Sequence, residues 1–382
     1  MKVLVLFGTR PEAIKLAPLV RALSEKSTEF ATRVCSTGQH REMTQQVVDA
    51  FKLRVDVHLD AMVAGVSLGA LTARMFADLD GLLTTEMPDC VVVQGDTTTA
   101  MVGAMSAFYM KTPICHVEAG LRTHDRWSPF PEEVNRSIIS CIADLHFAPT
   151  SGAAENLKLS GVPESTIFVC GNTVIDALIW TRDNLIGRVP AEMEEVAKFI
   201  KGKRLILATS HRRESFGPGL ESICSALLAA TDLYQDAVVV FPVHLNPRVQ
   251  GPVRALLGGQ KKVKLIEPVG YPALVWLMDQ SYCILTDSGG IQEEAPSLGK
   301  PVLILRDSTE RGEVIAEGCA RLVGSDPVMI LKGVRDLFED SSVYRSMSQA
   351  RNPFGDGSAA GRIVAIMEAE LPRLVKRVPR TS

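Results

Sequence analysis

The sequence predicts an α/β protein made of two similar halves, each a mostly parallel sheet covered by helices. Nearly continuous apolar runs bounded by Gly, Pro or Asp recur at 3–7, 91–95, 113–117, 204–209, 237–243, 282–286 and 301–305, and such runs read as strands buried on both faces. Helical patterns lie between them, at 11–24, 97–109, 131–142 and 290–298, and two of these open on Pro, whose missing N–H costs nothing in a first turn. The alternation restarts near Arg204 after a more polar, helical stretch over 172–203, which favours two halves over one very wide sheet.

Composition agrees with this and narrows the function. A chain of 382 residues, 46% hydrophobic and 22% charged, is long enough for two cores. Its formal charge of -3 carries no basic block, so no nucleic-acid partner is expected. The eight cysteines are scattered beside apolar runs without CxxC or ligand spacing and read as reduced core residues, and no metal site is expected. The apolar opening at 3–7 is too short to span a membrane and lacks a signal-cleavage pattern, so the chain is expected to stay in the cytoplasm, off the membrane.

Polar residues follow the predicted strands, where ligands of open α/β sheets bind: Gly8-Thr9-Arg10, Gly95-Asp96-Thr97, Glu118-Ala119-Gly120, Ser210-His211-Arg212-Arg213 and Asp287-Ser288-Gly289-Gly290. Two facing halves would enclose one ligand between them. Ser288, Gly289 and Gly290 suit a phosphate, since glycine lets the backbone approach and the following helix offers unpaired N–H groups. A plain capped turn, with Asp287 or Ser288 as the cap, fits the same residues. Arg10, Lys15, His211, Arg212 and Arg213 supply more positive charge than a turn needs and together suit a diphosphate. Glu294, four residues after Gly290, is placed to accept ribose hydroxyls, although an ordinary surface Glu also fits.

Asp96, Glu118 and Glu132, supported by His211, are the acid–base candidates; the first two directly follow apolar strands, and carboxylates at strand ends in a cleft can exchange protons near neutral pH. Asp96 equally suits a helix N-cap. His116 falls on the opposite strand face from Glu118 and reads as a packed histidine. The turn after the first strand, Gly8-Thr9-Arg10-Pro11, is not the GxGxxG of a dinucleotide site, and a Walker lysine loop is absent, so neither a nicotinamide cofactor nor ATP hydrolysis is expected.

Phe7-Gly8-Thr9-Arg10-Pro11-Glu12-Ala13-Ile14-Lys15 and His116-Val117-Glu118-Ala119-Gly120-Leu121-Arg122 resemble signatures of the non-hydrolysing UDP-N-acetylglucosamine 2-epimerases. The resemblance continues through Ser128-Pro129-Phe130-Pro131-Glu132-Glu133-Val134-Asn135-Arg136, Gly171-Asn172-Thr173, His211-Arg212-Arg213-Glu214-Ser215-Phe216-Gly217, Pro242-Val243-His244-Leu245-Asn246-Pro247 and the segment 286–300. It implies a glycosyltransferase-B-like architecture of two Rossmann-like domains facing a deep cleft: an N-terminal domain over 1–170, completed by a C-terminal helix at 356–382 that crosses back, and a UDP-binding domain over 171–355. It implies a homodimer without cofactor that inverts carbon 2 of a UDP-N-acetylhexosamine through elimination of UDP, a 2-acetamidoglucal intermediate and readdition, supplying N-acetylmannosamine for surface polysaccharide. Asp96, Glu118, Glu132 and His211 match the family's catalytic positions. Arg10, Lys15, Arg212, Tyr271, Ser288, Gly289, Gly290, Glu294 and Arg311 match or adjoin its UDP-binding ones.

Gln39, Glu42, Glu133, Arg212 and His244 match the neighbourhood where several bacterial members bind an activating second UDP-N-acetylglucosamine, although the polar Gln usual near Val66 is missing. Val269 and Leu274 stand where Gln and Phe are common beside the uracil. The same fold acting on a related UDP-diacetamido sugar, or as a glycosyltransferase, stays open.

Overall fold

A computed structural model of the chain describes residues 1–39, 41–62, 65–211 and 217–377, and for 41–43 and 377 the backbone alone. The chain divides into two compact units, Met1–Ala177 with the segment from Phe354 onward, and Leu178–Pro353.

The first unit carries β1 (Lys2–Phe7), β2 (Ala31–Ser36), β3 (Val57–His58), β4 (Cys90–Gln94), β5 (Ile114–Val117), β6 (Leu145–Ala148) and β7 (Ile167–Val169) in the order β3-β2-β1-β4-β5-β6-β7. The second carries β8 (Arg204–Thr209), β9 (Ala237–Pro242), β10 (Val263–Ile266), β11 (Cys283–Thr286), β12 (Val302–Ile304) and β13 (Ala320–Leu322) in the order β10-β9-β8-β11-β12-β13. Every described pairing is parallel. Both sheets therefore have the Rossmann-like arrangement, in which the order reverses beside the first strand of each unit.

The seven apolar runs fall on β1, β4, β5, β8, β9, β11 and β12, the central strands whose residues are almost wholly buried. β3, β7, β10 and β13 are the sheet edges, short and half wet, so they lack a continuous apolar run. Val3, Leu4, Val5, Leu6 and Phe7 fill both faces of β1, while Leu71, Met75, Leu79 and Leu83 pack from the helix Leu68–Glu86 at the spacing of one helical stripe. In the second unit Leu220, Ile223, Cys224 and Leu227 do the same from Pro218–Leu233.

The chain re-enters the first unit at Phe354, where its carbonyl accepts a 2.7 Å bond from the Asn172 amide. The last helix, Ala359–Arg377, buries Ala360, Ile363, Val364, Met367 and Leu371 on one stripe and contacts the helix Arg10–Glu25. Its first turn is held by Asp176, whose carboxylate accepts from the amides of Ala359 (3.2 Å) and Ala360 (2.8 Å). One expectation is corrected. Seven cysteines are buried, but Cys141 is exposed, because it lies on the outer side of the amphipathic helix Glu132–Ile142, whose Ile139 and Ser140 are buried. No helix among the described residues is long and apolar enough to cross a membrane.

Asp176→Ala leaves two first-turn amides without their acceptor and is expected to cost about 1–2 kcal/mol, read as a fall of a few degrees in Tm. Asp176→Asn, which keeps an acceptor oxygen, should lie between the two in a thermal melt.

Candidate functional site

The site residues of the first unit stand at the carboxyl ends of β1, β4 and β5. Gly8 leaves β1 where no side chain fits: a Cβ there would lie 2.2 Å from Thr99 Oγ1 and 2.4 Å from Thr37 Oγ1. Those hydroxyls bond each other at 2.8 Å, and Thr99 donates onward to Gln39 Oε1 at 3.0 Å. Glu12 folds back over the turn and accepts from the amides of Gly8 (3.0 Å) and Thr9 (2.8 Å) and from the hydroxyls of Thr9 (2.8 Å) and Thr97 (2.6 Å). Burial nevertheless pushes its pKa up. This bracing starts the helix Arg10–Glu25, placing Arg10 half-buried in its first turn, with no side-chain partner among the described residues, and Lys15 one turn further on.

Glu118 follows β5 with φ of +61°, a left-handed conformation uncommon for a residue with a side chain. Only 8% exposed, it receives Lys15 Nζ on both oxygens, at 2.8 and 2.6 Å, and Gln94 Nε2 at 2.7 Å. Asp96 follows β4 and is not the N-cap of the next helix: Thr97 takes that position and accepts from the Ala100 amide at 3.0 Å. Its side chain meets Arg136 instead, with Nε and Nη2 both on Oδ2. Glu132 opens the helix Glu132–Ile142, whose next turn carries Arg136, and is half-buried with no side-chain partner among the described residues. Glu133 beside it is buried and accepts from Arg136 Nη1 (3.0 Å) and the amides of Thr123 and His124 (both 3.1 Å). His116 packs as expected: wholly buried, it donates from Nε2 to the Gly95 carbonyl at 2.8 Å, and burial pushes its pKa down to about 3.

The second unit gathers its candidates at the ends of β8 and β11. Fully buried Asp287 accepts from Ser210 Oγ (2.9 Å) and the His211 amide (2.9 Å) and lies 3.1 Å from His211 Nδ1. With Nδ1 facing a carboxylate, Nε2 is the ring nitrogen turned away from Asp287. The His244 ring stacks on His211 with centroids 6.1 Å apart. Ser288 precedes the short helix Gly289–Glu294, but its side chain makes no cap bond, which overturns the alternative reading of a side-chain-capped turn there, and Asp287 is engaged with Ser210 and His211 in the turn after β8. A Cβ at Gly289 would lie 2.9 Å from Arg311 Cζ, so glycine is what lets the guanidinium lie against the backbone. Arg311 is held there by a 2.9 Å bond from Nε to buried Glu293. Tyr271 and Glu294 are both buried and joined by a 2.7 Å bond from the phenol to the carboxylate. Gly290 is close to Glu294, 3.6 Å from Oε1 to a built Cβ.

Arg212 and Arg213 lie outside the described residues, and of Glu42 only the helix backbone is described. Gln94, Arg136 and Glu293, which hold Glu118, Asp96 and Arg311, went unread as functional residues, because nothing local in sequence links them to their partners. Glu12 also went unread, although three residues after Thr9 it has the spacing of a capping box that could have found it. Among the described residues no group of His, Cys, Asp or Glu has the geometry of a metal site.

The family model described as UDP-N-acetylglucosamine 2-epimerase matches residues 21–368. The chain is 50% identical over 372 residues to the UDP-N-acetylglucosamine 2-epimerase of Salmonella typhimurium, covering 97% of this chain and 99% of that protein. Among solved structures, the Neisseria meningitidis UDP-GlcNAc 2-epimerase bound to UDP-GlcNAc aligns with a TM-score of 0.87 at 42% identity, covering 97% of this chain and 100% of that one. The Methanocaldococcus jannaschii enzyme in complex with UDP-GlcNAc and UDP gives 0.78 at 34% identity, covering 97% and 100%.

His116 generates a pH prediction. Folded, it stays neutral down to about 3, whereas unfolded it takes a proton near 6.5, so its share of stability is present above 6.5 and is lost as pH falls, by about 1.4 kcal/mol per pH unit. His116→Gln keeps a donor for the Gly95 carbonyl without the titration. Denaturant melts between pH 6.5 and 4.5 should show a shallower loss in that variant than in the parent.

Proposed function

Because the chain belongs to the UDP-N-acetylglucosamine 2-epimerase family and is an isomerase of it, we propose that it interconverts UDP-N-acetylglucosamine and UDP-N-acetylmannosamine by reversible inversion at carbon 2. The observation that carries the reading is the setting of Asp96, Glu118 and Glu132: two follow neighbouring strands, and the third opens the helix whose next turn grips Asp96. A binding module would need no such carboxylates.

In this reading a carboxylate of the first unit takes the carbon 2 proton as the bond from carbon 1 to the diphosphate oxygen breaks. UDP leaves with the electron pair, a double bond forms between carbons 1 and 2, and 2-acetamidoglucal remains. Return of a proton to the other face of carbon 2 and of UDP to carbon 1 gives the epimer, with no net oxidation. Expulsion of UDP concentrates negative charge on its phosphates, which in the second unit Arg311, Arg212, His211 and the amides of Gly289 and Gly290 are suited to stabilise. Asp287 supports His211 in this role by holding Nδ1 and leaving Nε2 for the leaving group. The joined Tyr271 and Glu294 side chains suit the nucleoside, Glu294 accepting from ribose hydroxyls. Uracil recognition then depends less on side chains at Val269 and Leu274 than in relatives with Gln and Phe there.

The reading extends to a cytoplasmic homodimer that supplies N-acetylmannosamine for surface polysaccharide. Activation by a second UDP-N-acetylglucosamine would draw on Gln39, Glu42, Glu133, Arg212 and His244. At Glu133 an activator would compete with Arg136 and two backbone amides.

Incubation with UDP-N-acetylglucosamine in deuterium oxide should give UDP-N-acetylmannosamine carrying deuterium at carbon 2, followed by NMR. Binding without exchange or product rejects the reading. Asp96→Asn and Glu118→Gln should each lower turnover by about two orders of magnitude while UDP binding survives, and unchanged turnover in either removes that residue from the mechanism.

A further inference from the structure

We propose that Arg136 is a positioning residue for Asp96, fixing which carboxylate oxygen is offered to the substrate and tying that carboxylate to the turn at Thr123 and His124. The inference rests on the epimerase reading and assigns a residue that the reading leaves unused.

The backbone around Asp96 is fixed independently of Arg136. The Gly95 carbonyl accepts from His116 Nε2 at 2.8 Å, and the Asp96 carbonyl from Asn135 Nδ2 at 2.9 Å. Thr97 caps the next helix and donates to Glu12 Oε1 at 2.6 Å. What remains free is rotation of the Asp96 side chain, and Arg136 stops it. Both Nε, at 3.0 Å, and Nη2 bond Oδ2. Oδ1 has no hydrogen-bond partner among the described residues, and the side chain is 25% exposed. Glu118 differs, since both of its oxygens are taken by Lys15 and Gln94. Asp96 Oδ1 is therefore a carboxylate oxygen held in place yet open to exchange a proton.

The remaining arm of the guanidinium, Nη1, bonds Glu133 Oε2 at 3.0 Å, one turn earlier on the same helix. Glu133 in turn accepts from the Thr123 and His124 amides, both at 3.1 Å. That turn leads into the segment bearing Trp127 and Phe130, an exposed stacked pair with ring centroids 5.8 Å apart. One planar cation thus bridges two carboxylates with three directed donors, a geometry that a lysine ammonium does not reproduce. An ion pair serving stability alone would be complete with Glu133. Arg136 instead commits two of its donors to an aspartate at the carboxyl edge of the sheet.

The test is a double-mutant cycle on the full chain: Arg136→Lys and Arg136→Gln, each alone and combined with Asp96→Asn, read as kcat, KM and the rate of deuterium entry at carbon 2. Positioning through Asp96 predicts a kcat about 10- to 100-fold lower, deuterium entry slowed in proportion and KM within about threefold of the parent. It also predicts that the same substitution changes the residual rate of Asp96→Asn by less than about threefold. An equal fall in kcat in both backgrounds, a change confined to KM, or parental kcat in Arg136→Gln overturns the proposal. If Arg136→Gln does not fold, Arg136→Lys, which keeps the charge, decides by the same cycle. An unsubstituted chain that inverts no carbon 2 overturns the epimerase reading itself and is seen before any variant is compared.

Discussion

The reversal of strand order beside the first strand of each sheet is the constraint on which the rest depends. Connections leaving β1 and β4, or β8 and β11, turn to opposite faces of their sheet and leave the carboxyl edge between them uncovered. At both edges the chain uses small residues and hydroxyls to bring strands and turns close. Thr37 and Thr99 bond under Gly8 in one unit, and Thr209 and Thr286 bond at 2.6 Å in the other. Within each unit the polar candidates are therefore a consequence of topology, arriving on different strands yet ending at one edge.

Around these edges lies a set of buried acids: Glu12, Glu133, Asp287 and Glu293. Burying a carboxylate is costly unless it is bonded, and each of these is bonded to a donor. Glu12 braces the turn after β1, Glu133 holds the Thr123–His124 turn and Arg136, Asp287 holds His211, and Glu293 holds Arg311. What matters about these acids is the partners they hold. A guanidinium or imidazole held by a buried acid is already oriented when a ligand arrives, so the ordering cost is met during folding.

Seven inner strands and the helices Arg10–Glu25, Thr98–Tyr109, Glu132–Ile142 and the short Gly289–Glu294 were legible because their patterns are local, an unbroken apolar run in the strands, whereas the inner strands β2 and β6 went unread. β3, β7, β10 and β13 also went unread, since an edge strand half in water carries no such run. The carboxylates Asp96 and Glu118 were legible by position alone, directly after a strand. Their partners were not. Lys15 meets Glu118 across 103 residues and Arg136 meets Asp96 across 40, and no spacing rule connects either pair. Asp287 also suited a cap for the helix that follows it, but proximity to Ser210 and His211, in the turn after the neighbouring strand, outweighs the local choice. Cys141 looked like core because its neighbours are apolar, yet only one side of its helix is covered.

By itself the sequence determined the fold class, the family and the residue types of the site, because apolar periodicity and contiguous motifs are properties of neighbouring residues. Tertiary structure decided which oxygen of Asp96 is held and which is open, which nitrogen of His211 faces Asp287, and that glycine at 289 lets Arg311 lie against the backbone. Those are distances between strands and helices far apart in the chain, and they are fixed only when packing brings the elements together.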